Sequence, residues 1–299
     1  MTVAACYADR AWHGAVAVVE NVRLARDTYR VRFECPELAR RIVPGQFVML
    51  RLAGQNDPLL GRPLALYDVV LDADGTPRGI DLVYLVMGKL TGKLSHFVPG
   101  QLLEVWGPLG NGFAPRAAVG FAPRAAEHLI MVAGGIGQTP FLALAKEHLG
   151  RQRYGEPSRP AASGGRVTFC YGTRSRDYLA GLDDFKQAGV ELRVSTDDGS
   201  AGHHGLVTDL LKQCLEENAT RRQACGVVCC GPEPMMAVVA EMTRQAGVPC
   251  QVSLETPMAC GIGICFSCVA KVRDDAGGWD YRRTCVEGPV FDARAVAFD

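Results

Sequence analysis

The segment Leu129-Ile-Met-Val-Ala-Gly-Gly-Ile-Gly-Gln-Thr-Pro140 reads as a short apolar strand that runs straight into a glycine-rich turn, with a proline placed for the first turn of a helix. Such a turn leaves backbone N–H groups free beside the positive end of a helix, an arrangement that suits a phosphate. The third glycine of the general dinucleotide fingerprint is absent, so a tight strand-to-helix turn without a ligand is the alternative reading. Downstream, apolar runs at 167–171, 190–195, 226–230 and 250–254 alternate with helical segments near 140–148, 177–188, 206–217 and 232–246. That rhythm predicts a doubly wound parallel sheet with helices on both faces.

Upstream the rhythm is different. Residues 14–24, 28–35, 46–52, 63–70, 80–87 and 101–106 form alternating or β-branched runs separated by turn residues. They predict an antiparallel β-barrel, with one helix near 91–97. The chain after residue 250 follows neither pattern and is rich in Gly and Cys. The expected organisation is a β-barrel over 1–115, an α/β domain over 116–250 and a small third module over 251–299. Phe113-Ala-Pro-Arg-Ala-Ala118 recurs as Phe121-Ala-Pro-Arg-Ala-Ala126, a duplicated linker between the first two domains, and 150–165 reads as a surface loop.

Composition narrows the function. With 299 residues, 48% of them hydrophobic, the chain can bury real cores, which excludes a disordered protein. Lys plus Arg and Asp plus Glu both number 32, leaving no basic excess to recruit a nucleic acid. No apolar run approaches the roughly 18 residues of a membrane span. The first twenty residues, which include Asp9 and Arg10, show no secretory signal, so the expected location is the cytoplasm. Twelve cysteines in such a chain point to metal or redox chemistry rather than to disulfides.

Cys260-x4-Cys265-x2-Cys268, followed after sixteen intervening residues by Cys285, has the spacing of plant-type [2Fe-2S] ligands. Gly261 and Gly263 permit positive φ, which lets backbone amides turn toward the sulfurs. Cys285 is expected on a separate strand after a turn at 274–278. Four cysteines also suit a structural zinc, but zinc ribbons favour two CxxC knuckles, which are lacking here. Cys6, Cys35, Cys170, Cys214, Cys225, Cys229 and Cys250 read as small buried hydrophobes. In the barrel, Arg62-Pro63-Leu64-Ala65 opens a strand and Gly88-Lys-Leu-Thr91 opens a helix, a pair able to grip a pyrophosphate. An exposed strand Arg and an ordinary N-cap Thr are the alternative.

Taken in order, Arg62-Pro63, Val83-Tyr84-Leu85, Gly88-Lys-x-Thr91 and Gly107-Pro-Leu-Gly-Asn-Gly-Phe113 resemble flavin reductases of the ferredoxin-reductase superfamily. With Gly134-Gly-Ile-Gly-Gln-Thr-Pro140, Cys230-Gly-Pro232, Met258-Ala-Cys-Gly-Ile-Gly and Cys285-Val-Glu-Gly-Pro-Val-Phe-Asp292, the chain is similar to the electron-transfer subunits of class 1B dihydroorotate dehydrogenases. The resemblance implies FAD in the barrel, contacted by Arg62, Pro63, Leu64, Ala65, Val83, Tyr84, Leu85, Leu90 and Thr91. The family usually has Ser at the position of Ala65 and Gly at that of Leu90. NAD is implied at Gly134, Gly135, Gly137, Thr139, Asp197 and Asp198, with Cys230 beside the nicotinamide. The [2Fe-2S] ligands are Cys260, Cys265, Cys268 and Cys285. A catalytic subunit that carries FMN and oxidises dihydroorotate is the implied partner, in a heterotetramer.

Thr196-Asp197-Asp198-Gly199 follows a strand end, at the carboxyl edge where open α/β sheets bind ligands. Acidic side chains there repel a 2′-phosphate and accept a ribose hydroxyl, which favours NAD, whereas the nearby Arg174 and Arg176 favour NADP. An ordinary polar turn is the alternative for the two aspartates. His203 and His204 read as solvated loop residues. Nicotinamide moves a hydride, an iron–sulfur cluster one electron and a flavin either, so FAD belongs between the other two. Alternatives are the small subunit of a related NAD(P)H–ferredoxin or sulfide oxidoreductase complex, and a redox-sensing binding module.

Overall fold

The computed structural model describes residues 11–113, 128–159, 165–274 and 277–298. The tandem repeat from 114 onward, residues 160–164 of the expected surface loop, and Cys6 lie outside the described residues.

The first unit is a closed antiparallel barrel of β1 (Trp12–Ala25), β2 (Thr28–Glu34), β3 (Phe47–Leu52), β4 (Arg62–Leu71), β5 (Pro77–Leu85) and β6 (Leu102–Leu109), in the order β1-β2-β5-β4-β3-β6. Alternation along each strand explains the closure. In β6, for example, Leu103 and Val105 turn inward and join Val31, Phe33, Leu50, Leu66 and Leu82 in one core. Each such side chain contributes about 1.5–3 kcal/mol on full burial. The expected helix near 91–97 is α2 (Lys89–Leu94). A further helix, α1 (Pro36–Arg41), lies between β2 and β3. Its signals were present: proline in the first turn, Glu37 at the start, Arg40 and Arg41 at the end.

The second unit is a sheet in the order β10-β9-β8-β7-β11-β12-β15, made of β7 (His128–Gly134), β8 (Arg166–Thr173), β9 (Glu191–Thr196), β10 (His203–His204), β11 (Cys225–Cys230), β12 (Cys250–Ser253) and β15 (Val290–Asp292). Six strands run parallel and β15 pairs antiparallel with β12. The helices are α3 (Phe141–His148), α4 (Leu182–Gln187), α5 (Val207–Arg221) and α6 (Glu233–Gln245). The chain lays β8 and β9 on one side of β7 and then β11 and β12 on the other, so the winding reverses between β7 and β11. His203 and His204 form the short edge strand β10 rather than a loop, with His203 Nε2 3.2 Å from Asp209 Oδ2.

The third unit is the hairpin β13 (Val269–Arg273) and β14 (Trp279–Arg283), preceded by the cysteine-rich loop. Cys285 sits in the turn at 284–287 that follows β14, not in a strand as expected. Beyond that turn the chain returns through β15 to the central sheet.

The barrel and the parallel sheet share a polar and aromatic interface. Asp68 on β4 is 9% exposed; it forms an ion pair with Lys146 of α3 and accepts a hydrogen bond of 2.9 Å from the Tyr154 hydroxyl. Tyr67 donates to Asp184 Oδ2 of α4 at 2.7 Å, and Phe113 packs on Phe141 at 5.9 Å between ring centres.

Candidate redox-cofactor site

The switch point between β7 and β11 opens into a cleft of about 1140 Å³. That exceeds the roughly 300–1,000 Å³ of an ordinary small-ligand pocket. Its floor consists of two strand-end turns that approach so closely that side chains are excluded. A Cβ at Gly134 would lie 2.7 Å from Pro232 Cδ, one at Gly137 would strike the Cys230 carbonyl, and one at Gly231 would lie 2.6 Å from Met235 Cε. Gly135, with φ +55°, has open space where a side chain would be, so its backbone is available to a ligand. Thr139 is buried behind the turn. This cradle fits a dinucleotide phosphate.

At one end of the cleft, Asp197 and Arg174 are both on the wall. Asp198 points elsewhere: its Oδ1 accepts hydrogen bonds from the Ser200 amide (2.9 Å) and hydroxyl (2.6 Å). Arg176 is also committed, donating to the Ser200 carbonyl. Cys230 ends β11 immediately before the lining residues Gly231 and Pro232. Burial pushes its thiol up to about 12, so it remains a neutral SH at physiological pH. Cys229 faces the sheet core.

The barrel closes the opposite side of the cleft with Thr28, Leu85 and Met87. Of the flavin candidates, Arg62 is exposed at the start of β4, its guanidinium donating to the Leu60 and Gly61 carbonyls. Val83 packs toward the nucleotide domain, and Pro63 and Ala65 lie half-buried beside it on β4. Three candidates turn inward instead. Leu64 packs on the barrel core, Leu90 is buried in it, and Tyr84 donates its hydroxyl to Asn21 Oδ1 at 3.0 Å. These three can offer a flavin only backbone groups. The Thr91 hydroxyl caps α2, accepting from the Met87 (3.0 Å) and Gly88 (3.2 Å) amides. No Cβ contact lies within 4 Å of Gly88, so the start of α2 is open to a ligand.

The cysteine loop sits against the other flank of the barrel. Gly261 (φ +74°) and Gly263 (φ +84°) are forced: a Cβ would lie 2.5 Å from Met49 Cγ at the first and 2.7 Å from Val286 Cγ2 at the second. The resulting fold turns the Ile262 amide to Cys260 Sγ at 3.4 Å. Cys265 interacts with Cys260, and Cys285 with Cys268. Among the described residues no three such ligands surround a single point.

Two residues hold this loop in place, Trp106 outside the sequence motifs and Asn111 within Gly107–Phe113. Trp106 of β6 donates its indole N–H to the Cys260 carbonyl at 3.0 Å, and a Cβ on Gly61, next to Arg62, would lie 2.7 Å from the same indole ring. One side chain thus touches both the residue that precedes β4 and the backbone of Cys260. Asn111 donates to the Val290 (2.8 Å) and Glu287 (3.1 Å) carbonyls, fastening the turn that carries Cys285. The motif contains Asn111 without its partners, and only long-range pairing could have given either residue this role.

Comparison with known proteins agrees with this geometry. Residues 255–297 match the iron-sulfur cluster binding domain of dihydroorotate dehydrogenase B, and residues 131–241 match the oxidoreductase NAD-binding domain. A dihydroorotate dehydrogenase B (NAD(+)) electron transfer subunit from Desulforamulus reducens is 35% identical over 92% of this chain and 95% of its own length. One of the same name from Clostridium acetobutylicum is 36% identical over 92% and 93%. Among solved structures, the NADH-dependent reduced ferredoxin-NADP oxidoreductase superposes with a TM-score of 0.73 at 28% identity, covering 100% of this chain and 92% of that one. The ferredoxin reductase of carbazole 1,9a-dioxygenase, at 18% identity and a TM-score of 0.63, shares the fold. FAD, a [2Fe-2S] cluster and NAD are the cofactors of this domain combination. By its cysteine spacing, its three-part fold and this similarity along nearly its whole length, the chain belongs to the family of dihydroorotate dehydrogenase B electron transfer subunits.

Proposed function

We propose that this chain carries electrons between a dihydroorotate-oxidising, FMN-bearing catalytic subunit and NAD+, as one half of a heterotetramer in the cytoplasm. The observation that carries the reading is the placement of the barrel, with its cysteine loop clamped on one flank by Trp106 and with Thr28, Leu85 and Met87 turned to the nucleotide cleft on another. Bound at these sites, the nicotinamide supplies hydride transfer, the cluster single-electron transfer and the flavin both. Cys260, Cys265, Cys268 and Cys285 would hold the cluster. Arg62, Pro63, Ala65, Val83, Leu85 and Thr91 would hold FAD, joined through the backbone by Leu64, Tyr84 and Leu90. Gly134, Gly135, Gly137, Thr139 and Asp197 would hold NAD, with Asp198 shaping the turn beside it.

The chain's own residues bind and orient; none has to act as acid, base or nucleophile. Cys230, neutral and half-buried, would pack beside the nicotinamide without attacking it. The functional modules are 1–115 for FAD, 116–250 for NAD and 251–299 for the cluster, the last lending most of β12 and all of β15 to the sheet of the nucleotide domain. Ile264 and Phe266, 72% and 62% exposed on either side of Cys265, give the partner an apolar landing at the cluster. Among the described residues no helix is long and apolar enough to cross a membrane.

The purified chain is expected to show flavin and [2Fe-2S] absorption together, and to retain a dihydroorotate-oxidising subunit in a pull-down. Rapid reduction of an artificial acceptor by NADH would exclude a sensor without turnover. Capture of a ferredoxin- or sulfide-linked large subunit instead would favour the second reading, which the full-length match to the ferredoxin-NADP oxidoreductase supports. Within the NAD site, Asp197→Arg is expected to raise the NADPH-to-NADH ratio of kcat/KM about tenfold or more, the worth of one charge-assisted contact. Asp198→Arg should move it less, because that carboxylate is spent on Ser200. Equal shifts in both variants would remove Asp197 from its assigned place.

A further inference from the structure

We propose that the Ser267 hydroxyl sets the reduction potential of the iron–sulfur cluster by donating a hydrogen bond to the sulfur of Cys265. This rests on the cluster reading above. Ser267 Oγ lies 3.2 Å from Cys265 Sγ and accepts a hydrogen bond from the Ala259 amide, also at 3.2 Å. The amide occupies an oxygen lone pair, which leaves the hydroxyl proton directed at the sulfur. A cysteine that binds iron does so as a thiolate and has no proton to give, so Ser267 must be the donor.

The loop is shaped to hold this contact. Phe266, between the two residues, takes φ +58°, a left-handed conformation that a bulky aromatic rarely adopts. Its ring lies under the Arg283 guanidinium at 5.1 Å, and Arg283 in turn donates to the Gly263 carbonyl at 3.0 Å. The reversal at Phe266 folds Ser267 back over Cys265. The Ile262 amide to Cys260 and the Gly263 amide to Cys285 come from the backbone. Ser267 is therefore a side-chain donor that substitution can remove, and Ser267→Thr keeps both its contact with Cys265 and its acceptor for the Ala259 amide. Its contact also lies at the exposed end of the cluster, where Cys265 faces solvent and Cys268 and Cys285 do not.

Hydrogen bonds to cluster sulfurs stabilise the more negative, reduced state and so raise the potential. Ser267 would make the cluster a readier acceptor from the partner and a less driving donor to the flavin.

The test is a redox titration of the cofactor-loaded chain, followed by electron paramagnetic resonance, for wild type, Ser267→Ala and Ser267→Thr. In Ser267→Ala the one-electron equilibrium is expected to shift about fivefold toward the oxidised cluster, as for one net hydrogen bond, or about 40 mV at 59 mV per tenfold. Ser267→Thr keeps the hydroxyl and should titrate with the wild type. Coincident potentials for wild type and Ser267→Ala overturn the proposal, as does a threonine variant displaced as far as the alanine one. Should Ser267→Ala assemble no cluster, Ser267→Gly takes its place. Loss of the cluster in both, with retention in the threonine variant, would make the hydroxyl an assembly requirement and also overturn the tuning role. Absence of [2Fe-2S] absorption from the wild type would instead sink the cluster reading itself.

Discussion

Cys265→Ser is expected to abolish the visible absorption of the cluster and to cut electron delivery between the partner subunit and NAD by at least ~100-fold, the upper end of what loss of a mere outer-shell partner costs a metal site. Serine stays protonated at neutral pH and is a far harder, weaker ligand for iron than a thiolate. FAD should remain bound, and NADH should still reduce it. The reason lies in where Cys265 sits. It is exposed, outside the apolar cluster of Phe47, Met49, Leu109, Met258, Cys268 and Cys285 that joins loop to barrel. Trp106 and Asn111 keep their grips on the Cys260 carbonyl and the 287–290 turn without it. Absorption spectra and stopped-flow reduction by NADH check the two halves separately. Flavin loss along with the cluster would show that the loop and the barrel do not hold their cofactors independently. Cys285→Ser, by contrast, exchanges a fully buried sulfur for a hydroxyl in that apolar cluster and should also lower stability.

The contrast between these two cysteines marks what a sequence can and cannot disclose. Their spacing announces a four-thiolate site, because ligand spacing is a local property. Which sulfur is exposed depends on Met49 and Leu109, far away in the barrel. The barrel strands were legible because alternation records which face is buried, and each lies within three residues of its expected bounds. The strand β15 was not legible: three residues carry no period, and they become a strand only because β12 offers an open edge. The flavin motif likewise gave positions along the chain without side-chain directions. Alternation on β4 and β5 sends Leu64 and Tyr84 into the core and leaves Val83 and Leu85 on the ligand side. Asp197 and Asp198 are chemically the same residue twice, and only the geometry of the turn separates a cleft wall from a cap on Ser200. Trp106 carries no motif because it acts on Cys260 across the fold, whereas Ser267 stands within the Cys265-x2-Cys268 spacing at a position that the spacing leaves undefined.

Lys146→Met should cost about 3–5 kcal/mol near pH 8, the penalty for leaving a buried charge without its partner. Asp68 would keep only the Tyr154 hydroxyl and the Val69 amide as donors. Burial already holds the Asp68 carboxyl above the ordinary carboxylate range, with Lys146 as the main opposing influence. A carboxyl whose folded pKa exceeds its unfolded one binds protons more tightly in the folded state, so stability falls as pH rises through that window. Without Lys146 the folded pKa climbs further. The loss should therefore be small below the unfolded carboxylate pKa, grow as pH rises, and reach its full size at pH 8. Denaturant titrations of both proteins at several pH values measure this. A difference that stays constant from pH 5 to pH 8 would mean that Lys146 contributes packing rather than charge. Adding Asp68→Asn to Lys146→Met removes the stranded charge and should restore most of the stability. The functional reach of the pair follows from its position. Asp68 lies on β4, which begins with Arg62, and Lys146 lies on α3, which continues from the Gly134–Pro140 turn. The ion pair ties β4, proposed to hold the flavin, to the turn proposed to hold the nucleotide, and a misplacement of 1 Å there can cost about 100-fold in hydride transfer. NADH-to-flavin reduction in Lys146→Met should accordingly slow in kcat more than it weakens in KM, because Gly134, Gly137 and Gly231, proposed to cradle the phosphate, lie wholly within one domain.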